Sequence, residues 1–259
     1  MKIGLDRSSS FNQRMLHKMK KSRKISVVIA ALLLFNFGFA QDTKDFFAKA
    51  DTFFNTYVKN GRVAYKDIKV NPATLNELLD LAKNIQVSAD DPKTYQAFWI
   101  NGYNLFVIKG IVDNYPIKSP LDKAGFFDKT RYEIGGKKTT LNDIENKLLR
   151  AKFPKEARFH FVLVCAGLGC PPIINSAYVP EKLEVQLQKQ TELSLNNPKF
   201  IRVSGKKVGL SQIFEWYKGD FTQNGKSLVD FVNDFRQEKI ETNAKVGYYP
   251  YDWNLNESK

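Results

Sequence analysis

The chain has 259 residues, with 40 Lys and Arg against 27 Asp and Glu, two His, two Cys and a formal net charge of +13. Eight of the basic residues and one acid, Asp6, lie in the first 24 positions, so the net charge beyond residue 40 is only +6; no Lys/Arg run punctuated by aromatics remains there to form a nucleic-acid surface. All three Met and His17 lie before residue 40 as well, which leaves His160, Cys165 and Cys170 as the only later His and Cys and excludes sites that need two histidines, such as HExxH zinc centres.

Taken in chain order, the first feature is a leader. Charge is dense from Lys2 to Lys24 and then stops until Asp42, and the intervening apolar run, Ile25 to Ala40, is about 16 residues, shorter than the roughly 20 needed to cross a bilayer as a helix. This predicts a cleavable signal peptide over 1–40, delivery to the periplasm or beyond, and no stable membrane span after cleavage. A retained membrane-anchoring helix is the competing reading, because the basic region is long and Asn36 interrupts the apolar run. Residue 41 is Gln, so acylation of a Cys at that position does not apply. Residues 41–259 contain no linker, repeat or low-complexity block and read as one globular domain.

Phe46, Phe47, Ala50, Phe53, Phe54 and Tyr57 recur at helical spacing and predict an amphipathic helix over 43–58 whose aromatics are core. Asn71-Pro72 and Asp91-Pro92 each place an N-cap residue before a proline suited to the first turn, opening helices near 72–84 and 92–112. The second is apolar nearly all round and is predicted to be buried. Gly135-Gly136 marks a hairpin over 131–140, and Thr140 with Asp143 forms a variant capping box for the next helix. Phe159 to Cys165 reads as a central strand, followed by a helix over 181–196, a hairpin near 199–210, and helices over 211–218 and 226–236. Helices and short strands mix without βαβ alternation, so the fold class is α+β: a single domain with helices around a small mixed sheet and a buried central helix.

Three features carry candidate chemistry. Asn101 and Asn104 share a face of the buried helix, and an amide there must find hydrogen-bond partners or cost about 1–3 kcal/mol. They either pin backbone carbonyls or line a pocket. The second feature, Cys165-Ala-Gly-Leu-Gly-Cys170-Pro171-Pro172, turns on glycines into a proline pair. If Cys170 stands at a helix N-cap its thiol is a nucleophile or redox group; the alternatives are a Cys165–Cys170 disulfide, suited to an oxidising envelope, and two inert buried thiols. His160 does not pair with Cys170 if 160–165 is extended, since that stretch spans about 16 Å at roughly 3.3 Å per residue. The same distance argues against a metal site from His160, Cys165 and Cys170, which also lacks a fourth ligand. The third feature runs from Leu210 to Phe221, with Ser211 as N-cap and Gly219 as helix stop; Phe214 and Trp216 or Tyr217 are core anchors, and Asp220 either caps or faces a pocket. The terminal Tyr248 to Asn254 is too aromatic for a loose tail and is predicted to pack back on the body.

Four ordered motifs together resemble the domain-of-unknown-function 547 family: Phe98 to Asn104; His160-Phe161 with Cys165 and Gly169-Cys170-Pro171; Ile213 to Tyr217 with Asp220-Phe221; and Tyr251 to Asn256. The resemblance spans most of 90–256. It implies no established activity, but kinship with proteins in which this domain is joined to a glutaredoxin-like module, which favours thiol chemistry. Two functions follow as expectations. One is an extracytoplasmic thiol enzyme with Cys170 as nucleophile or redox thiol, Asn101 and Asn104 orienting substrate, and Cys165, His160, Tyr217 and Asp220 binding it. The other is a non-catalytic envelope domain that binds peptide or glycan and carries a structural disulfide. The expected ligand is a small molecule, peptide or glycan; no cofactor, metal or nucleic acid is implied.

Overall fold

The structure, a computed structural model, describes residues 41–258. The signal peptide expected over 1–40 lies outside the described residues. The chain divides into two units between Lys44 and Asp45. Of the first, residues 41–44 are described and are helical; everything below concerns the second. No helix among the described residues is long and apolar enough to cross a membrane.

The unit opens with α1 over 45–57, whose Phe46, Phe47, Phe53 and Phe54 are buried, as the periodicity predicts. A hairpin of β1 (Val58–Lys59) and β2 (Arg62–Val63) follows, turning at Asn60-Gly61 with both residues at positive φ. Asn-Gly is a strong local signal for such a turn, yet two-residue strands leave no alternation to read. Next come α2 (Tyr65–Val70) and α3 (Ala73–Asn84). Asn71 does not cap α3. It ends α2, its N–H donating to the Asp67 carbonyl, and Pro72 takes the cap position instead.

Helix α4 (Pro92–Asn114) is the spine of the domain. Asp91 caps it through the Thr94 N–H at 3.3 Å, Pro92 sits in the first turn, and 16 of its 23 residues are buried. It packs against α2, α3 and the turn that follows β4. Gly102 lies mid-helix because a Cβ there would stand 2.5 Å from Ile134 Cδ1. That contact comes from the predicted hairpin, β3 (Tyr132–Ile134) and β4 (Lys137–Thr139). Thr140 caps α5 (Leu141–Asp143) through the Asp143 N–H at 3.1 Å, and α5 passes directly into a π-helical turn, Ile144–Arg150.

The segment 159–165 is not a strand. A 3₁₀ turn covers Ala157–Phe161, and an irregular stretch runs from Val162 to Cys165. A short apolar run with no period cannot distinguish a buried strand from a buried coil, and here Asn104 supplies the bonds a neighbouring strand would have made. Helix α6 (Leu183–Leu195) then leads to a three-stranded mixed sheet in the order β5 (Ile201–Ser204), β6 (Lys207–Ser211), β7 (Lys245–Tyr249). The first pair is antiparallel and the second parallel. Between β6 and β7 lie α7 (Ile213–Trp216), α8 (Lys218–Phe221) and α9 (Leu228–Phe235). Two expectations fail here. Ser211 ends β6 and leaves the cap of α7 to Gln212, while Gly219 lies inside α8, because the break between helices falls at Tyr217. The fold class is nonetheless α+β, with small sheets and a buried central helix as the sequence indicated.

Candidate functional site

After β7 the chain runs back along the Cys165–Cys170 loop, as its aromatic content suggested. The N–H groups of Leu168 and Gly169 donate to the carbonyls of Asn254 and Asp252, and the Asn256 N–H donates to Ala166, each at 2.8 Å. The close approach requires glycine: a Cβ at Gly169 would lie 2.8 Å from the Asp252 backbone nitrogen. Ala166 holds a left-handed φ of 64°, unfavourable for a residue with a Cβ by about 1 kcal/mol, and the Asn256 bond helps to hold it there.

Cys165 and Cys170 form a disulfide, with Cα atoms 6.3 Å apart. Cys165 is partly exposed and Cys170 is 8% exposed, so Cys165 is the more exposed residue of the pair. No helix follows Cys170, which therefore has no N-cap to lower its thiol pKa. Its sulfur instead meets two donors: the Cys165 backbone N–H at 3.0 Å and the Tyr251 hydroxyl at 2.8 Å. The same hydroxyl oxygen is 2.7 Å from Cys165 Sγ. Burial raises the Tyr251 pKa well above its ordinary value, and the charge of Glu145 adds to the effect, so the hydroxyl stays protonated as a donor.

The disulfide lies on a cleft of about 330 Å³. Trp216, Tyr251 and Trp253 form one aromatic wall; ring centroids are 5.2 Å apart for Trp216–Tyr251 and 4.7 Å for Tyr251–Trp253. Trp216 is 47% exposed, unusual for a side chain of its size. Tyr103 and Leu163 lie deeper, and Glu145 enters from the π-helical turn. Burial first, and then the neighbouring Glu145 charge, hold the Tyr217 pKa above the ordinary value.

His160 also lines this cleft, with its ring centroid 4.2 Å from that of Tyr217 and its Nε2 2.8 Å from Asp220 Oδ2. Asp220 additionally accepts from Arg150 Nε at 2.7 Å. Burial opposes ionisation of Asp220, but the bonds from His160 and Arg150 outweigh it and hold the carboxyl well below the usual carboxylate range. Because 157–161 is a turn and not a strand, the distance objection to His160 and Cys170 sharing a site does not apply. They share the cleft without bonding: His160 is engaged by Asp220, and Cys170 by Tyr251 and the Cys165 N–H.

Asn101 and Asn104 do not line the cleft. Asn101 donates to the carbonyls of Ala97 and Tyr178 and accepts from the Tyr178 N–H; Asn104 donates to the Val162 carbonyl at 2.9 Å and accepts from the Val164 N–H at 2.9 Å. Both amides are therefore backbone staples, and Asn104 fixes the stretch that delivers Cys165. Of the other expected residues, Cys165, Cys170, His160 and Tyr217 line the cleft, and Asp220 stands behind His160. Tyr251, Glu145, Trp216 and Trp253 were not singled out for the site. The Tyr251-Asp252-Trp253 triplet was visible as a packing signal, but nothing local shows that it reaches a cysteine 81 positions earlier. Among the described residues no group of three or more His, Cys, Asp or Glu side chains is placed to hold a metal ion.

Residues 88–195 match the model of the family described as "Protein of unknown function, DUF547". The matched stretch carries Asn101, Asn104, Glu145, His160, Cys165 and Cys170, while Tyr217, Asp220, Tyr251 and Trp253 fall beyond it. No curated protein and no solved structure matches the chain. Over residues 88–195, which bear the disulfide and the staples that position it, the chain is similar to the DUF547 family of proteins of unknown function.

Proposed function

We propose that this domain works outside the cytoplasm and carries out thiol–disulfide exchange at Cys165–Cys170 with a cysteine-bearing peptide bound in the aromatic cleft. The observation that carries this reading is the pair of donors on Cys170 Sγ, the Cys165 N–H and the Tyr251 hydroxyl. An incoming thiolate attacks Sγ of Cys165, the more exposed residue of the pair. The Cys165–Cys170 bond breaks, its electron pair goes to Cys170 Sγ, and the two donors stabilise the thiolate that forms. Hydrogen bonds to a charged group are worth about 1.5–3 kcal/mol each, and a stabilised thiolate leaves faster. A second substrate thiol then attacks the substrate sulfur of the mixed disulfide and expels Cys165. The substrate leaves as a disulfide, oxidised by two electrons, and its two thiol protons balance the two protein thiols. A disulfide substrate runs the sequence in reverse. The signal-peptide-like leader supports this reading, because an oxidising compartment is where such a disulfide persists.

The test is oxidation of a dithiol peptide by the native protein, followed by alkylation of the protein thiols released. The expected result is stoichiometric oxidation without unfolding, abolished in Cys165→Ser and Cys170→Ser. A disulfide that yields to a dithiol only after denaturation would sink the proposal. That outcome would favour a non-catalytic binding domain, which the burial of Cys170 and the backbone pinning of its loop support.

A further inference from the structure

A second cleft, of about 350 Å³, opens against the same loop and shares Cys170 and Pro171 with the aromatic one. Its chemistry is different. Arg62, Lys199 and Arg202 line it, and none of the three makes an ion pair among the described residues. Arg202 is held in place over the Tyr249 ring, its guanidinium 3.6 Å from the centroid, and its Nε donates to the Lys199 carbonyl at 3.4 Å. Asn256, only 4% exposed, also lines the cleft. Its Oδ1 accepts from the Tyr65 hydroxyl at 2.8 Å, while its Nδ2 donates to no group among the described residues. The one carboxylate on the lining, Asp252, accepts through Oδ1 from the backbone N–H and the side-chain amide of Asn254. The site therefore offers three cations and a buried amide donor without an ion-paired carboxylate to balance them.

We infer that this cleft binds a small multivalent oxyanion, a phosphate or a polycarboxylate. Single exposed charges are screened by solvent and salt, so a monovalent ion would gain little there; a ligand that meets several of these cations at once gains from each. The volume limits the occupant to a small molecule or a terminal group of a larger one. This reading does not depend on the thiol chemistry of the neighbouring cleft.

The experiment is calorimetric titration of the purified protein at low salt, in separate arms, with citrate and with inorganic phosphate. One arm is expected to give one-site binding with a Kd below about 1 mM, and the arm that does so distinguishes carboxylate from phosphate chemistry. Lys199→Glu and Arg62→Glu, both at exposed positions, are each expected to weaken binding by about tenfold or more, and added salt to weaken it in the unmodified protein. Dithiol oxidation is expected to continue unchanged in both variants. Absence of binding in both arms, or affinity unaltered by the two charge reversals together, would overturn the inference.

Discussion

Two regions fix the disulfide loop, and they do so by different means. On the approach, Asn104 of the buried helix α4 holds Val162 and Val164 with one side-chain amide, all of it inside the core. On the loop itself, residues 252–256 bind Ala166, Leu168 and Gly169 through main-chain bonds, and the adjoining Tyr251 reaches the sulfurs. The first region has its hydrogen bonds closed and its role is rigidity. The second leaves a polar hydroxyl on a cleft, next to a bond that can be exchanged. A buried polar side chain is thus not in itself a functional sign; what matters is whether its bonds end on backbone or on a reactive atom.

Substitutions can break this contrast at different depths. The largest loss of stability is expected for Asn104→Leu, which keeps the volume but strands a buried carbonyl and a buried N–H; the cost is about 3 kcal/mol in a denaturant titration. A loss below about 1 kcal/mol would show that the amide is not the staple. The disulfide closes only a short loop in the unfolded chain, so removing it as Cys165→Ala with Cys170→Ala should cost about 2 kcal/mol. The fold should persist, since the bonds to 252–256 remain, and retained near-ultraviolet circular dichroism is the check. Tyr251→Phe should change stability by about 1 kcal/mol or less and slow dithiol oxidation about tenfold, the reverse balance to Asn104. An unchanged rate would place Tyr251 with the structural residues.

The smallest effect concerns pH. Asp220 has its pKa depressed in the fold, because His160 and Arg150 outweigh its burial. Its stabilisation is therefore present in full above the unfolded carboxyl value, about 4, and is lost as pH falls from there through the lower folded value. The amount, about 1 kcal/mol after screening, should disappear from the acid limb of the stability profile in Asp220→Asn. A profile identical in both proteins would remove Asp220 from the His160 network.

The sequence was most legible where structure is set locally. The burial of α4 follows from its apolar surface, its start from Asp91-Pro92, the β3–β4 hairpin from Gly135-Gly136, and the α5 cap from Thr140. It was least legible where a distant partner decides. Residues 159–165 have the composition of a strand but meet a side chain of α4, not a neighbouring strand. Asn71 and Ser211 are good capping residues that neighbouring elements had already taken. The site divided in the same way: a Cys-Ala-Gly-Leu-Gly-Cys-Pro loop advertises itself, and Asn104 was conspicuous but ambiguous. Tyr251 acts only through a return of the chain that no local pattern encodes.

That return also sets an order of events. Residues 251–256 complete the cleft, and Ser258 adds an N–H bond to the Val63 carbonyl of the early hairpin. During synthesis α4 and both cysteines emerge well before Tyr251 exists, so the helical body can begin to form while the two sulfurs still lack their shared hydroxyl. For that interval the cysteines are open to solvent oxidants and to other thiols. Residues 251–256, made after both cysteines, are thus the ones that close the window and turn a pair of ordinary thiols into a shielded one.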